Sequence, residues 1–142
     1  VREISECIRG MVPKVRTRFV INTLDYLYKG GRCTALESFF GGLLNIRPII
    51  AVEEGKMILE EKIRGKKEKA LKSMLECVLA DSDIIDPRRI FITHSMAKEE
   101  AEYLKSMLEQ KLQGEIIITD AGCVISSHCG EGTVGILYLR SS

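Results

Sequence analysis

Two histidines, His94 and His128, and five cysteines, Cys7, Cys33, Cys77, Cys123 and Cys129, are the side chains of this 142-residue sequence best suited to nucleophilic or metal chemistry. Cys129 is the one cysteine next to a histidine, so a Cys–His nucleophile is one reading, provided a base lies within hydrogen-bond reach and a third group orients it. If residues 128 and 129 are extended, their side chains point to opposite faces, and Cys129 then reads more simply as a small apolar residue. A zinc site needs several soft or imidazole ligands, and the chain offers only His94 and His128, with Cys129 as the one cysteine beside a histidine, so no metal site is expected. His128 lies in the small-residue run Ser126-Ser127-His128-Cys129-Gly130-Glu131-Gly132, which is predicted to form a loop that exposes backbone amides. An imidazole there can donate to an anion or satisfy a neighbouring carbonyl. His94 is predicted at the end of a buried strand and before a helix, the place of a packed or capping residue. It is also where open α/β sheets bind ligands.

Gly130, Gly132 and Gly135 spell G-x-G-x-x-G, the dinucleotide fingerprint. Its context is wrong, because the glycines run into a strand rather than opening a helix and the sequence ends before any ribose ligand could follow. Lys62, Arg64, Lys66, Lys67, Lys69 and Lys72 form a basic cluster, with Lys66 and Lys67 at a predicted helix start where positive charge opposes the dipole. That cluster is either a solvated face or a dock for an acidic or phosphorylated partner. Arg32, directly after Gly30 and Gly31, is either a surface charge or an anion ligand presented by a tight turn.

The elements that must position these groups follow from the apolar spacing. Ile4, Ile8, Met11 and Val12 share one helix face, and Pro13 ends that helix. A strand over Arg16–Asn22 leads to a brief helix capped by Thr23, carrying Leu24 and Leu27 and stopped by Gly30 and Gly31. Leu36, Phe39, Phe40, Leu43 and Leu44 predict a second short helix, weakened by Gly41 and Gly42. Strands at Ile46–Glu53 and Lys56–Arg64 flank a link of hairpin length containing Gly55. A long helix over Lys66–Ala80 and another over Met96–Leu112, the latter capped by Ser95, alternate with buried strands at Arg89–Thr93, Ile116–Ile118 and Val134–Leu139. This alternation predicts an α/β fold: a mixed, partly antiparallel sheet packed with helices, in a single domain spanning 1–142.

Composition narrows the function classes. With 21 Lys and Arg against 20 Asp and Glu the formal charge is +1, so no global field gathers nucleic acid. The 45% apolar content fits a chain that builds its own core. The longest apolar stretch, Phe39–Val52, is broken by Asn45, Arg47 and Pro48, and is too short to span a membrane as a helix. An odd set of cysteines without a C-x-x-C pair fits a reducing cytoplasm. The start at Val1, almost within a helix, suggests a piece of a longer protein.

Four segments then combine. Thr23-Leu24-Asp25-Tyr26-Leu27-Tyr28-Lys29-Gly30-Gly31-Arg32, Leu43-Leu44-Asn45-Ile46-Arg47-Pro48-Ile49-Ile50, Lys62-Ile63-Arg64-Gly65 and His128-Cys129-Gly130-Glu131-Gly132 resemble, in order and spacing, the carboxyl-terminal half of the DegV family. One departure is Glu131, where the family usually has proline. The resemblance implies a bacterial, cytoplasmic, non-enzymatic carrier that binds a long-chain fatty acid. It needs no cofactor, and in the full-length protein it presents the acid to a fatty-acid kinase for phospholipid synthesis. The missing amino-terminal domain would supply most of the hydroxyl groups that hold the carboxylate. Carried over by motif, Arg32, Arg64 and His128 mark the head-group and kinase-facing end, with Gly30, Gly31, Gly130 and Gly132 as motif glycines. Phe39, Phe40, Leu43, Leu44 and Ile46 are expected to wall an acyl slot. The alternatives are a small Cys–His hydrolase and an interaction module with a basic docking helix.

Overall fold

The computed structural model describes residues 1–32 and 46–141. In chain order the elements are α1 (Arg2–Met11), β1 (Val15–Val20), α2 (Asp25–Lys29), β2 (Ile46–Glu53), β3 (Lys56–Arg64), α3 (Lys67–Ala80), β4 (Ile85–Ser95), α4 (Lys98–Glu109), β5 (Glu115–Asp120), α5 (Cys123–Cys129) and β6 (Thr133–Arg140). The expected second short helix, with Phe39, Phe40, Leu43 and Leu44, lies outside the described residues.

Six strands form one mixed sheet in the order β3-β2-β1-β6-β4-β5. Only β4 and β5 run parallel, because α4 supplies the crossover that a parallel pair needs; the other neighbours are antiparallel. The β2–β3 hairpin turns through Glu54 and Gly55, both at positive φ (50° and 75°), the backbone of a type I′ turn whose twist matches the strands. The predicted α/β architecture is therefore the observed one.

Strand alternation gives the sheet two faces of different character. On the first, Val20, Ile49, Ile90, Ile92, Val134 and Ile136 meet the stripes of α3 and α4, where Ala70, Met74, Val78, Ala101, Leu104 and Leu108 are buried. Arg18 enters this core paired through two of its nitrogens: its Nε donates to Glu60, and its Nη1 donates to Asp81 (2.8 Å) and to the Tyr138 hydroxyl. A buried guanidinium without such acceptors would be strongly destabilising. The second face carries a smaller cluster, Phe19, Ile21, Leu27 and Ile50, packed under α2. Farther across it, Phe91, Thr93, Ile117, Leu137 and Leu139 remain half-buried.

Some expected features differ. The predicted loop over residues 126–132 is instead helical through Cys129: α5 begins at Cys123, and only Gly130–Gly132 turn back into the sheet. Ser95 does not cap α4. It is the buried last residue of β4, Met96 follows at φ 51°, and α4 begins at Lys98 after Ala97, with no side-chain cap.

Candidate functional site

The strand registers bring the chemistry-bearing residues to one end of the sheet. The carboxyl ends of β1, β3, β4 and β5 and the amino ends of β2 and β6 all lie there, because Val20 pairs with Val134, Ile46 with Arg64, Ser95 with Thr133 and His94 with Asp120. Arg64 ends the edge strand β3, three strands from β6, a separation of about 14 Å at the usual strand spacing. Ile46 is half-buried at the start of β2.

Two loops at this end interlock. In the first, Leu24 and not the expected Thr23 is the N-cap of α2, the Thr23 Oγ1 accepting the Asp25 amide at 3.2 Å from one residue earlier; buried Leu27 anchors α2, and Gly31 turns at φ +66° so that the Arg32 amide reaches the Leu27 carbonyl at 2.8 Å. The Arg32 side chain donates to the Gly30 carbonyl at 2.8 Å and remains exposed. In the second loop, Gly130 and Gly132 adopt φ +80° and +77°, and the Gly132 amide binds the Ser95 carbonyl at 2.7 Å. Asn22 Nδ2 donates to the Glu131 carbonyl at 3.2 Å, while Arg47 Nη1 donates to the Asn22 carbonyl at 2.5 Å. The glycines of one motif face the side chains of the other. A Cβ on Gly130 would lie 2.6 Å from Tyr26 Cε2, and one on Gly132 would lie 2.9 Å from Asn22 Cγ. Asn22, Tyr26 and Arg47 are thus parts of the site that residue chemistry alone did not single out, although Tyr26 and Arg47 stand within the quoted motifs.

The separate candidates sort as follows. His94 is a packed residue and not a helix cap: it is buried, its Nδ1 accepts the Ala97 amide at 3.4 Å, and its Nε2 lies 3.5 Å from Asp120 Oδ1. Cys129 is half-buried, and burial pushes its thiol up from its ordinary value, opposite to what an activated nucleophile needs. His128 Nδ1 is buried without a hydrogen-bond partner among the described residues, so that nitrogen does not address the thiol. Since the two residues share a helix, the expected opposition of strand faces does not apply; side chains one residue apart diverge by about 100° around the axis. In the basic cluster, Lys67 is paired with Glu100 of α4 at 2.5 Å and is largely covered, which removes it from any docking surface. The expected fingerprint failure also holds, as Gly130–Gly135 lead into β6.

Around this end stand exposed large apolar side chains, Tyr26, Tyr28, Met96, Val124 and Ile125. A cavity of about 660 Å³ lies at the opposite end, on the half-covered face; Met11, Val15, Phe91, Leu137 and Leu139 line it together with Tyr138 and the charged Asp86, Arg88, Arg89 and Glu115. Between the two ends that face is lined by Thr93 and Gly135, which are register partners, and by Thr119, whose hydroxyl bonds that of Thr93 at 2.7 Å.

A family model described as uncharacterised protein of the DegV family matches residues 1–141. A DegV domain-containing protein of Clostridium perfringens is 34% identical over 140 residues, which is 99% of this chain and 49% of that protein. Among solved structures, a fatty acid binding DegV family protein from Streptococcus agalactiae superposes with TM-score 0.84 at 33% identity, covering 99% of this chain and 50% of that one. The fatty acid kinase (Fak) B3 protein of Streptococcus pneumoniae, solved loaded with linoleic acid, superposes with TM-score 0.80 at 26% identity, covering 97% and 49%. The chain spans about half the length of the relatives it matches.

Proposed function

This chain belongs to the DegV family, and from that premise we propose that it is the carboxyl-terminal domain of a two-domain fatty-acid carrier. Its single domain spans residues 1–142, and the other domain supplies further groups to the carboxylate. The observation that carries the reading is the half-covered sheet face. An apolar cavity at Phe91, Leu137 and Leu139 occupies one end of that face, and small Gly135, two residues along β6 from Leu137, lies on the same face in the direction of the end where His128, Arg32 and Arg64 stand; we read the two together as one acyl track. From Leu139 to Gly135 is about 14 Å at strand rise, and the loop to His128 lengthens the path to the scale of a long acyl chain. Burying about 14 methylenes stabilises a complex by roughly 11 kcal/mol before the costs of association, so a carrier depends on an apolar track more than on catalytic groups.

In this reading the carboxylate lies at the His128 end, with Arg32 and Arg64 as exposed cations flanking it. Both suit presentation of the head group to a fatty-acid kinase, a partnership supported by the S. pneumoniae relative. Phe39, Phe40, Leu43 and Leu44, with Ile46, belong to the proposed acyl wall as the segment that joins α2 to β2. Free thiols at Cys7, Cys77, Cys123 and Cys129 fit a reducing cytoplasm. Among the described residues no helix is long and apolar enough to cross a membrane.

The test compares oleate with methyl oleate by displacement of a fluorescent acyl probe. Binding of oleate about tenfold tighter than its ester, with the preference lost in His128→Ala, is the expected result, at the scale of one charge-assisted hydrogen bond. Equal binding of both, unchanged by His128→Ala, would contradict the head-group assignment.

A further inference from the structure

Gly30 and Gly31 are adjacent, and the reasons for them differ. Gly31 stands at φ +66° with nothing within 4 Å of a built Cβ, so its glycine serves the turn. Gly30 closes α2 at φ −79° and ψ 0°, a conformation open to any L-residue, and alanine would be favoured there on helix propensity. Space is what forbids a side chain: a Cβ would fall on His128 Nδ1, 2.7 Å from its Cε1 and 3.1 Å from the Tyr26 carbonyl oxygen. The Nδ1 atom is buried against that bare Cα with no hydrogen-bond partner among the described residues. A proton on Nδ1 would be a buried N–H without an acceptor, which is costly, so the neutral ring keeps its proton on Nε2.

We infer that Gly30 is a positioning residue. Its bare Cα seats the Nδ1 edge of His128 so that the ring offers Nε2–H to an anionic ligand. The Gly30–Arg32 turn and the imidazole then form one unit, because Arg32 donates to the Gly30 carbonyl while Gly30 abuts the ring. The functional part of this inference rests on the reading of His128 as a head-group ligand; the seat itself does not.

The chain contains two histidines, so long-range proton–nitrogen NMR resolves both rings, with His94 as the internal reference. The expected result is a nuclear Overhauser contact between the Gly30 α-protons and His128 Hε1, together with the Nε2–H pattern for His128. In Gly30→Ala the His128 signals shift and the contact is lost, while those of His94 stay in place. Oleate binding weakens about tenfold in Gly30→Ala but less than about twofold when the same change is made in a His128→Ala background. If Gly30→Ala alone folds poorly, the double variant removes the overlap and recovers the urea midpoint. A His128 ring indifferent to Gly30→Ala, or equal binding losses in both backgrounds, would overturn the inference. Ring coupling as expected with no oleate bound to any variant would support the seat and overturn the carrier reading.

Discussion

At the scale of single residues, the site depends on contacts that pair chemistry with space. Arg32 is exposed and donates to the Gly30 carbonyl of its own turn, so Arg32→Ala should leave acid retention within about twofold and slow phosphorylation of the bound acid by a fatty-acid kinase at least about tenfold. Parallel dye-displacement and kinase assays check this, and equal losses in both would contradict it. Asp81 shows a residue whose charge holds the fold. Burial works to raise its carboxyl, but hydrogen bonds from Tyr138 and Arg18 outweigh it and hold the group below the ordinary carboxylate range. A lowered folded value means the contribution is complete above the unfolded value of about 3.9 and disappears as pH falls through the folded one. The urea midpoint should therefore drop between pH 5 and pH 2.5, roughly, and Asp81→Asn should flatten that slope while lowering stability at pH 7. Residue types alone suggested His128 and Arg32. They did not reveal that Gly30, Tyr26 and Asn22 hold the neighbouring loop, since these contacts join segments about a hundred residues apart in sequence.

At the scale of elements, legibility followed burial. The helices α3 and α4 were readable because Met74, Val78, Leu104 and Leu108 repeat toward a buried sheet. α5 was not, because none of its residues is buried and Ser126, Ser127 and His128 are indifferent helix formers. Likewise, β4 runs from Ile85, earlier than the apolar run at Arg89–Thr93 implied, because Asp86, Pro87 and Arg88 are polar or turn-like residues at the irregular start of its pairing with β6. Glu54 in the β2–β3 turn sits at φ 50°, where asparagine is the more tolerant residue. Glu54→Asn should accordingly stabilise the chain by about 0.5 kcal/mol, read as a raised urea midpoint with unchanged slope. Met74→Ala, which empties a fully buried position on α3, should cost about 2–5 kcal/mol by the same measurement.

At the scale of the whole molecule, one sheet face is closed by two helices and the other is left half-covered beside an apolar cavity, with a cationic and imidazole-bearing end beyond it. The α/β class and the mixed pairing were legible from alternation and from one tight hairpin. The strand order was not, because antiparallel insertion of β6 between β1 and β4 is decided by packing across the whole chain. The most direct measurement of the central claim is native mass spectrometry of this chain after incubation with oleate, alongside a Leu137→Asp variant that places charge on the half-covered face. The account predicts one acid retained per chain and none on the variant. Oleate retained equally by both, or by neither, would contradict it.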